Sequence, residues 1–418
     1  MAHKPALIFI FLTLFLDVLG LAMLIPVGPD LVQRMLHDGK GGTPGEAAQT
    51  FGTLQATYNA MAFLLAPLLG VLADRFGRRP VILISLLGTG IDFFAQALAP
   101  TLTWFFVTRA INGASGASFT VGAAYVADIT PPNKRAAAFG MIGAAFGLGF
   151  IIGPLLGGIL GHVHLKLPFY VAGGITVVNW LYGLFVLPES LPREGRRSID
   201  WPRTNPVGAY QGLTRHPLVF WIAITYFLLN MAQFGLHAVW MKYAEHRMGW
   251  DQRLGGYSLA IVGVGSVIVQ GLLARRIVPR FGERRTLLFS LAIAVLAYLG
   301  YGLSSAGWML YATVAFASLG ALMEPSAQSL ITQTVGPQEQ GQTQGALTSL
   351  RSVAGILGPL IGGSTFNFFI SSNAPAYVPG APYFVSAFLA CAGLAIAWFT
   401  LHRHLPSGSK PRAAPGSP

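Results

Sequence analysis

Apolar runs about as long as a bilayer core is thick recur through this chain, and no other feature limits its fold so strongly. Ala6–Val27, Val81–Ala99 and Phe384–Leu401 approach or reach the roughly 20 residues that carry a helix across hydrocarbon. Only 10% of the 418 residues are charged and 53% are hydrophobic, whereas a soluble domain carries about 25% charged residues. A soluble fold could not cover its surface with such a sequence. The expected class is therefore an all-α membrane protein. Twelve spans are predicted, over 6–28, 50–73, 80–99, 102–127, 136–161, 167–188, 217–243, 254–275, 286–304, 308–334, 341–370 and 381–402. The first run leads straight into further runs, so it reads as the first helix and not as a cleaved leader. The single cysteine, Cys391, lies within an apolar run, which leaves disulfides no role.

A net charge of +12 would suit a nucleic-acid binder, but its placement argues otherwise. With the N-terminus in the cytoplasm, most Lys and Arg fall in inner loops and tails, as the positive-inside rule expects. The basic excess is then an orientation signal, and no nucleic-acid partner is expected. Residues 189–216, rich in Pro and Arg, read as a cytoplasmic linker between two six-helix bundles, 1–188 and 217–404. The segment 405–418 reads as a disordered cytoplasmic tail.

The two bundles repeat each other at an offset of about 205 residues. Gly140, Gly153, Pro154, Gly157 and Gly158 recur as Gly345, Gly358, Pro359, Gly362 and Gly363. Gly70–Arg79 is echoed by Gly271–Arg285, which closes on Phe281-Gly-Glu-Arg-Arg. Duplication of a six-span unit marks secondary transporters, with the site expected at mid-membrane between the repeats.

Gly70–Arg79 forms the short turn between the second and third spans. Gly77 permits the reversal, and Arg75, Arg78 and Arg79 suit the headgroup layer. Asp74 among these cations is either one more solvated charge or part of a gate, pairing with arginine and with a helix N-terminus when that face closes. The pattern Gly-x-Leu-Ala-Asp-Arg-x-Gly-Arg-Arg closely resembles the best-known motif of the major facilitator superfamily, and the resemblance covers essentially the whole chain. In the fifth span Gly149, Gly153, Gly157 and Gly161 share one helix face, with Pro154 as a bend point. Close helix packing alone would account for them. Gly149-Phe-Ile-Ile-Gly-Pro-Leu-Leu-Gly-Gly158 also resembles the superfamily's antiporter motif, which implies export in preference to uptake.

Arg109 lies inside the fourth span, about 10 Å below its outer edge at the helical rise. An intramembrane arginine needs a polar cavity or a partner. Asn112 shares its face, and Arg109–Gly113 resembles the superfamily's proton-coupling motif. Asp17 and Asp92 lie about 17 Å deep in the first and third spans. Two carboxylates at one depth, near an arginine, are candidates for binding and releasing a proton. Phe15–Gly20 with Pro26 and Pro29, Leu83–Asp92, Ala127-Asp128, Trp240, Phe281-Gly-Glu283 and Gln340–Gly345 resemble bacterial tetracycline efflux pumps. The resemblance implies that Asp17 and Asp92 are essential polar residues of the transport path and that Asp128 joins the Asp74 gate. It also implies a multi-pass protein of the bacterial inner membrane. Some of those pumps carry a His in the eighth span and an Asp in the ninth, where this chain has Ser266 and Ala294. It has instead Glu324 in the tenth span and Arg351 in the eleventh, both about 15 Å deep. These two are expected to face each other, as a structural pair or with Glu324 contacting substrate or proton.

Gln55, Asn59, Asn112, Asn230, Gln233, His237, Glu324 and Gln328 are the candidate substrate-binding residues, although several could equally serve helix packing. His237 has no second ligand at helical spacing, so no metal site is expected. No Walker-type loop is present, which argues against ATP as a direct energy source. The expected activity is that of a monomeric, proton-coupled drug antiporter, with a small-molecule substrate, protons and the lipid bilayer as partners, no cofactor and no enzymatic step. A nutrient symporter on the same fold and a non-transporting receptor or scaffold are the alternatives; buried Asp17, Asp92 and Arg109 together would be unneeded in the latter.

Overall fold

The computed structural model describes residues 3–116, 118–131, 135–192, 196, 213–335 and 339–404. Most of the linker and the tail expected at 405–418 lie outside the described residues. Among the described residues every element is helical. The first half contains α1 (His3–Met23), α2 (Gly28–Met35), α3 (Pro44–Phe76), α4 (Arg78–Ala97), α5 (Leu102–Ser115), α6 (Ser118–Ile129), α7 (Arg135–Val163) and α8 (Leu167–Val186). The second half contains α9 (Pro217–Met248), α10 (Gln252–Ile268), α11 (Ala274–Leu303), α12 (Gly307–Ala317), α13 (Met323–Thr334), α14 (Gln340–Ile370) and α15 (Ala381–His404).

Among the described residues nine helices are long and apolar enough to cross a membrane, or ten if α1 and α2, bent by 47°, count as one span. The remaining two expected segments, 102–127 and 308–334, are broken. α5 stops at Ser115 before Gly116. α12 passes through a 3₁₀ turn, Ser318–Leu322, into α13. Pro325 in the first turn of α13 has no N–H to give to the preceding carbonyls, so an unbroken α-helix loses a bond there. A π-turn, Val269–Leu273, similarly ends α10.

The pseudo-symmetry predicted from the repeat is visible in the backbone. Gly77 (φ 108°) separates α3 from α4, and Gly282 (φ 76°) kinks α11 at the corresponding place. Both angles favour glycine, which has no Cβ to clash. The glycine stripe of α7 packs on α1: a methyl on Gly153 would stand 2.6 Å from Ala22 Cβ and 2.8 Å from Leu19 O. Gly358 and Gly362 of α14 lie against α9 in the same way, at Met231 and Gly235.

The halves meet at the end of the molecule opposite the linker, called here the distal end. Pro154 O of α7 abuts Gly256 of α10, and Gly158 lies against Gln252 and Gly256. The second interface copies the first, with Pro359 O of α14 against Gly52 of α3 and Gly363 against Ala48 and Gln49. Asn367 Nδ2 donates to Gln49 Oε1 at 2.6 Å. Ala22, Ile25 and Ala48 of the first half join the apolar core of the second. Toward the linker end four glycines make no such crossing. A methyl on Gly70, Gly143, Gly271 or Gly345 would meet nothing within 4 Å. The glycine crossings between the halves thus lie toward the distal end.

Candidate functional site

Three groups of polar residues occupy this frame. The first is buried in the N-terminal half. Asp92 of α4 is 3% exposed, Arg109 of α5 is 3% and Asn112 is 4%. Asn112 Nδ2 donates to Asp92 Oδ2 at 2.6 Å, and Gln96 Nε2 donates to the same oxygen. Arg109 Nη2 donates to Gln55 Oε1 of α3 at 3.0 Å, and its guanidinium lies 5.7 Å from the centroid of the Tyr58 ring. Asp17, Asp92 and Arg109 all lie within electrostatic range of the Tyr58 hydroxyl. Asp92 Oδ1 and Arg109 Nε have no hydrogen-bond partner among the described residues. Burial of a carboxylate with one oxygen unsatisfied costs free energy that a neutral group would largely avoid. Of the three residues predicted for proton coupling, Asp92 and Arg109 are buried and Asp17 is half-buried, all three near Tyr58. Asn112 and Gln55, expected to line a cavity, are spent on Asp92 and Arg109.

The second group lies at mid-depth in the C-terminal half. Arg351 Nη1 of α14 stands 3.5 Å from Glu324 Oε1 of α13, as the shared depth predicted. Tyr226 of α9 donates its hydroxyl to Glu324 at 3.0 Å, and Gln328 its amide at 3.4 Å. The two charged side chains are 41% and 43% exposed, unlike the buried Asp92, Arg109 and Asn112. A neighbouring cluster joins Gln233 Nε2 to His237 Nε2 at 2.9 Å and Tyr298 to Gln233 at 3.2 Å, with the His237 ring 6.2 Å from that of Phe150 in the other half. Asn230 bonds the carbonyl of Tyr226, and Asn59 that of Gln55, each within its own helix. Among the described residues no group of three or more His, Cys, Asp or Glu could hold a metal ion.

The third group lies at the linker end. Arg78 bridges Asp74 at 2.6 Å and Asp128 at 3.3 Å. Ser190 Oγ adds a bond to Asp128 at 3.1 Å, and the Arg78 backbone N–H donates to Glu189 at 2.9 Å. Arg75, grouped with these in the sequence, stands over the Phe76 ring at 5.6 Å. In the second half Glu283 occupies the place of Arg78, and Gln333 that of Asp128. Gln333 donates to Glu283 at 2.7 and 2.8 Å. One turn-to-helix tie is therefore made twice, ionic in one half and neutral-to-anionic in the other.

Residues 10–359 and 271–418 match the family model of the Major Facilitator Superfamily. The chain belongs to that superfamily. Among its relatives, the tetracycline resistance protein, class C, of Escherichia coli is 34% identical over 92% of this chain and 96% of its own length. The class H protein of Pasteurella multocida is 30% identical over 96% of this chain and 98% of its own length. The crystal structure of the human organic anion transporter MFSD10 superposes with a TM-score of 0.71, 25% identity and coverage of 94% of this chain and 99% of that one. Membership places the three groups within a multi-pass membrane protein of the facilitator fold.

One group went unread in the sequence of this facilitator. Lys242 of α9 is 1% exposed and pairs with Asp30 of α2 and with Glu245. A lysine after Ala238-Val-Trp-Met241 was a usable signal, yet it reads equally as a positive charge at the end of a span.

Proposed function

We propose that this chain is a proton-coupled antiporter that exports a drug or similar amphipathic small molecule by alternating access, with tetracyclines among the candidates. The reading is supported by the tetracycline resistance relatives, aligned over nearly the full length. The single observation that carries the coupling is the buried Asp92, Asn112 and Arg109 group with its unsatisfied carboxylate oxygen. In this reading the twelve segments cross the bacterial inner membrane, both termini and the linker are cytoplasmic, and the protein acts as a monomer without chemical change to its substrate. The conformation described above is then open to the cytoplasm. Substrate enters the cavity beside Glu324 and Arg351. A proton from the periplasm neutralises Asp17 or Asp92, weakens the hold on substrate by releasing Arg109, and leaves to the cytoplasm on the return.

The test is transport into inverted membrane vesicles with an inward-acid gradient, using a panel of drugs. Drug should accumulate in the vesicles, dissipate the gradient as it enters and stop when an uncoupler is added. Efflux of a nutrient with the proton, or accumulation insensitive to the uncoupler, would refute the assignment.

A further inference from the structure

The distal end holds a cleft of about 300 Å³ lined by Asp30, Gln33, Arg34, Lys242, Glu245 and Gln252 among others. Its charges are arranged asymmetrically across the boundary between the halves. Lys242, 1% exposed, reaches over from α9 to Asp30 and to the Gln33 side-chain oxygen, both on α2. It also holds Glu245, three residues along its own helix, at 2.5 Å. Gln252, at the start of α10, donates to Asp30 from the same side as Lys242. Gln33 is itself fixed by donating to Gly42 O at 2.8 Å. One partner of the ammonium therefore belongs to the opposite half and one travels with it.

We propose that Lys242 is a toggle in the distal gate. When the halves are together it bridges Asp30 and Glu245. When they part it loses Asp30 and keeps Glu245, so the cation never stands unpaired at the membrane boundary. Other side-chain contacts cross the same seam, His162 Nδ1 to Asp251 Oδ2 at 3.4 Å, Asn367 to Gln49 and Gln49 to Ser364 at 3.4 Å, but among the described residues none offers its cation or amide a second charged partner on its own side. The arrangement answers a physical difficulty of a gate made from a buried ion pair. Breaking such a pair leaves a costly lone charge, and a partner on the same helix removes that penalty from the open state. The proposal rests on the alternating-access reading.

The two carboxylates should then act in opposite directions. Asp30→Asn removes a bond present only in the closed gate. Glu245→Gln removes the partner needed chiefly in the open one. The experiment uses the full chain in lipid nanodiscs, with Cys391 replaced by serine and spin labels at His164→Cys and Asn373→Cys. These positions lie on exposed distal loops of the two halves. Distances between labels report gate opening without reference to substrate or proton. Asp30→Asn should raise the ratio of long-distance to short-distance populations by about tenfold or more, because only the closed state loses an ion pair while Lys242 keeps Glu245 in both states. Glu245→Gln should lower that ratio. Lys242→Gln should resemble Asp30→Asn, and if it fails to fold the two carboxylate variants still decide. Shifts of both in one direction, or of neither, would overturn the toggle. Failure of drug export in vesicles with opposite shifts intact would overturn the antiporter assignment alone.

Discussion

The glycine crossings at the distal end can be tested by a single methyl group. Gly256→Ala would put a Cβ 2.5 Å from Pro154 O and 3.1 Å from the Gly158 Cα. Non-bonded heavy atoms rest at about 3.5 Å or more, so α7 and α10 must separate by about 1 Å at this point. The obstacle is backbone, which cannot rotate away as a side-chain tip would. Overpacking of this kind costs about 1–3 kcal/mol, which corresponds to a change of about 5- to 150-fold in an equilibrium between two states. Alanine also improves helix propensity by about 0.5–1 kcal/mol, but that gain is present whether the gate is open or closed and cancels in the ratio. The expected outcome is a shift away from the distal-closed state, read as longer distances between labels at His164→Cys and Asn373→Cys. Gly52→Ala, which meets Pro359 O at the pseudo-symmetric crossing, should do the same. Gly174→Ala, where nothing lies within 4 Å, is the control. Unchanged distances in both gate variants would show that the two crossings do not hold the gate, and the reasoning from Cβ contacts would fail.

Four further outcomes follow from named contacts. Asp74→Asn breaks the 2.6 Å pair with Arg78; expression and substrate-induced thermal stabilisation should persist while transport slows strongly, and a normal transport rate would remove Asp74 from the gate. Asp17→Asn and Asp92→Asn should each abolish uphill export, and full gradient-driven transport in the double variant would exclude both from coupling. If Glu324 and Arg351 are a structural pair, Glu324→Gln with Arg351→Gln should restore the expression and export lost in either single variant; recovery of expression without export would assign Glu324 to substrate or proton. The Glu339 carboxyl is held below its ordinary value of 4.5, chiefly by its hydrogen bond to His216. A lowered folded value means the contribution is present above the ordinary glutamate value and lost as pH falls through the lower one, so the acid-side decline in melting temperature should flatten in Glu339→Gln.

Much of the frame was legible because bilayer thickness writes itself into run length. Each of the twelve predicted segments is occupied by helix. The breaks at Gly116 and at Ser318–Leu322 were not legible, since Pro325 and Gly116 are single residues inside apolar stretches whose hydropathy they barely alter. The Asp74, Arg78 and Asp128 tie was read from a motif. The bond from Asn112 to Asp92 was not, because it joins two helices whose rotation only packing determines. Lys242 was missed for a related reason. Its cross-half partner Asp30 falls in a segment read as an outer loop, where a carboxylate needs no partner. Gly52 and Gly256 occupy nearly the same place in the two repeats, and a comparison of glycines between repeats would have found them.

The duplicated scaffold also shows which charges the two halves do not share. At the repeat offset of about 205 residues, Asp17, Asp92 and Arg109 correspond to Ile222, Ala297 and Val314, while Glu324 and Arg351 correspond to Phe119 and Phe146. Each half builds corresponding helices without the other's charges, so the shared fold alone does not dictate either set. The two sets also differ in environment, one buried to 3% exposure at Asp92 and Arg109 and the other more than 40% exposed. A dry carboxylate suits a proton, which needs no space. A half-exposed pair suits a solute that must enter and leave. If the halves divide the work in this way, coupling has to cross the boundary between them, and α3 and α14 supply a contiguous route. Arg109 bonds Gln55, and one turn on, Asn59 is so close to α14 that a methyl on Gly355 would lie 2.6 Å from its Oδ1. Gly355 is one turn from Arg351. Proximity alone does not establish coupling, which needs an element with two states that both sites bias. On the alternating-access reading the α3–α14 crossing would be such an element, since rocking of the halves would change the register between Asn59 and Gly355.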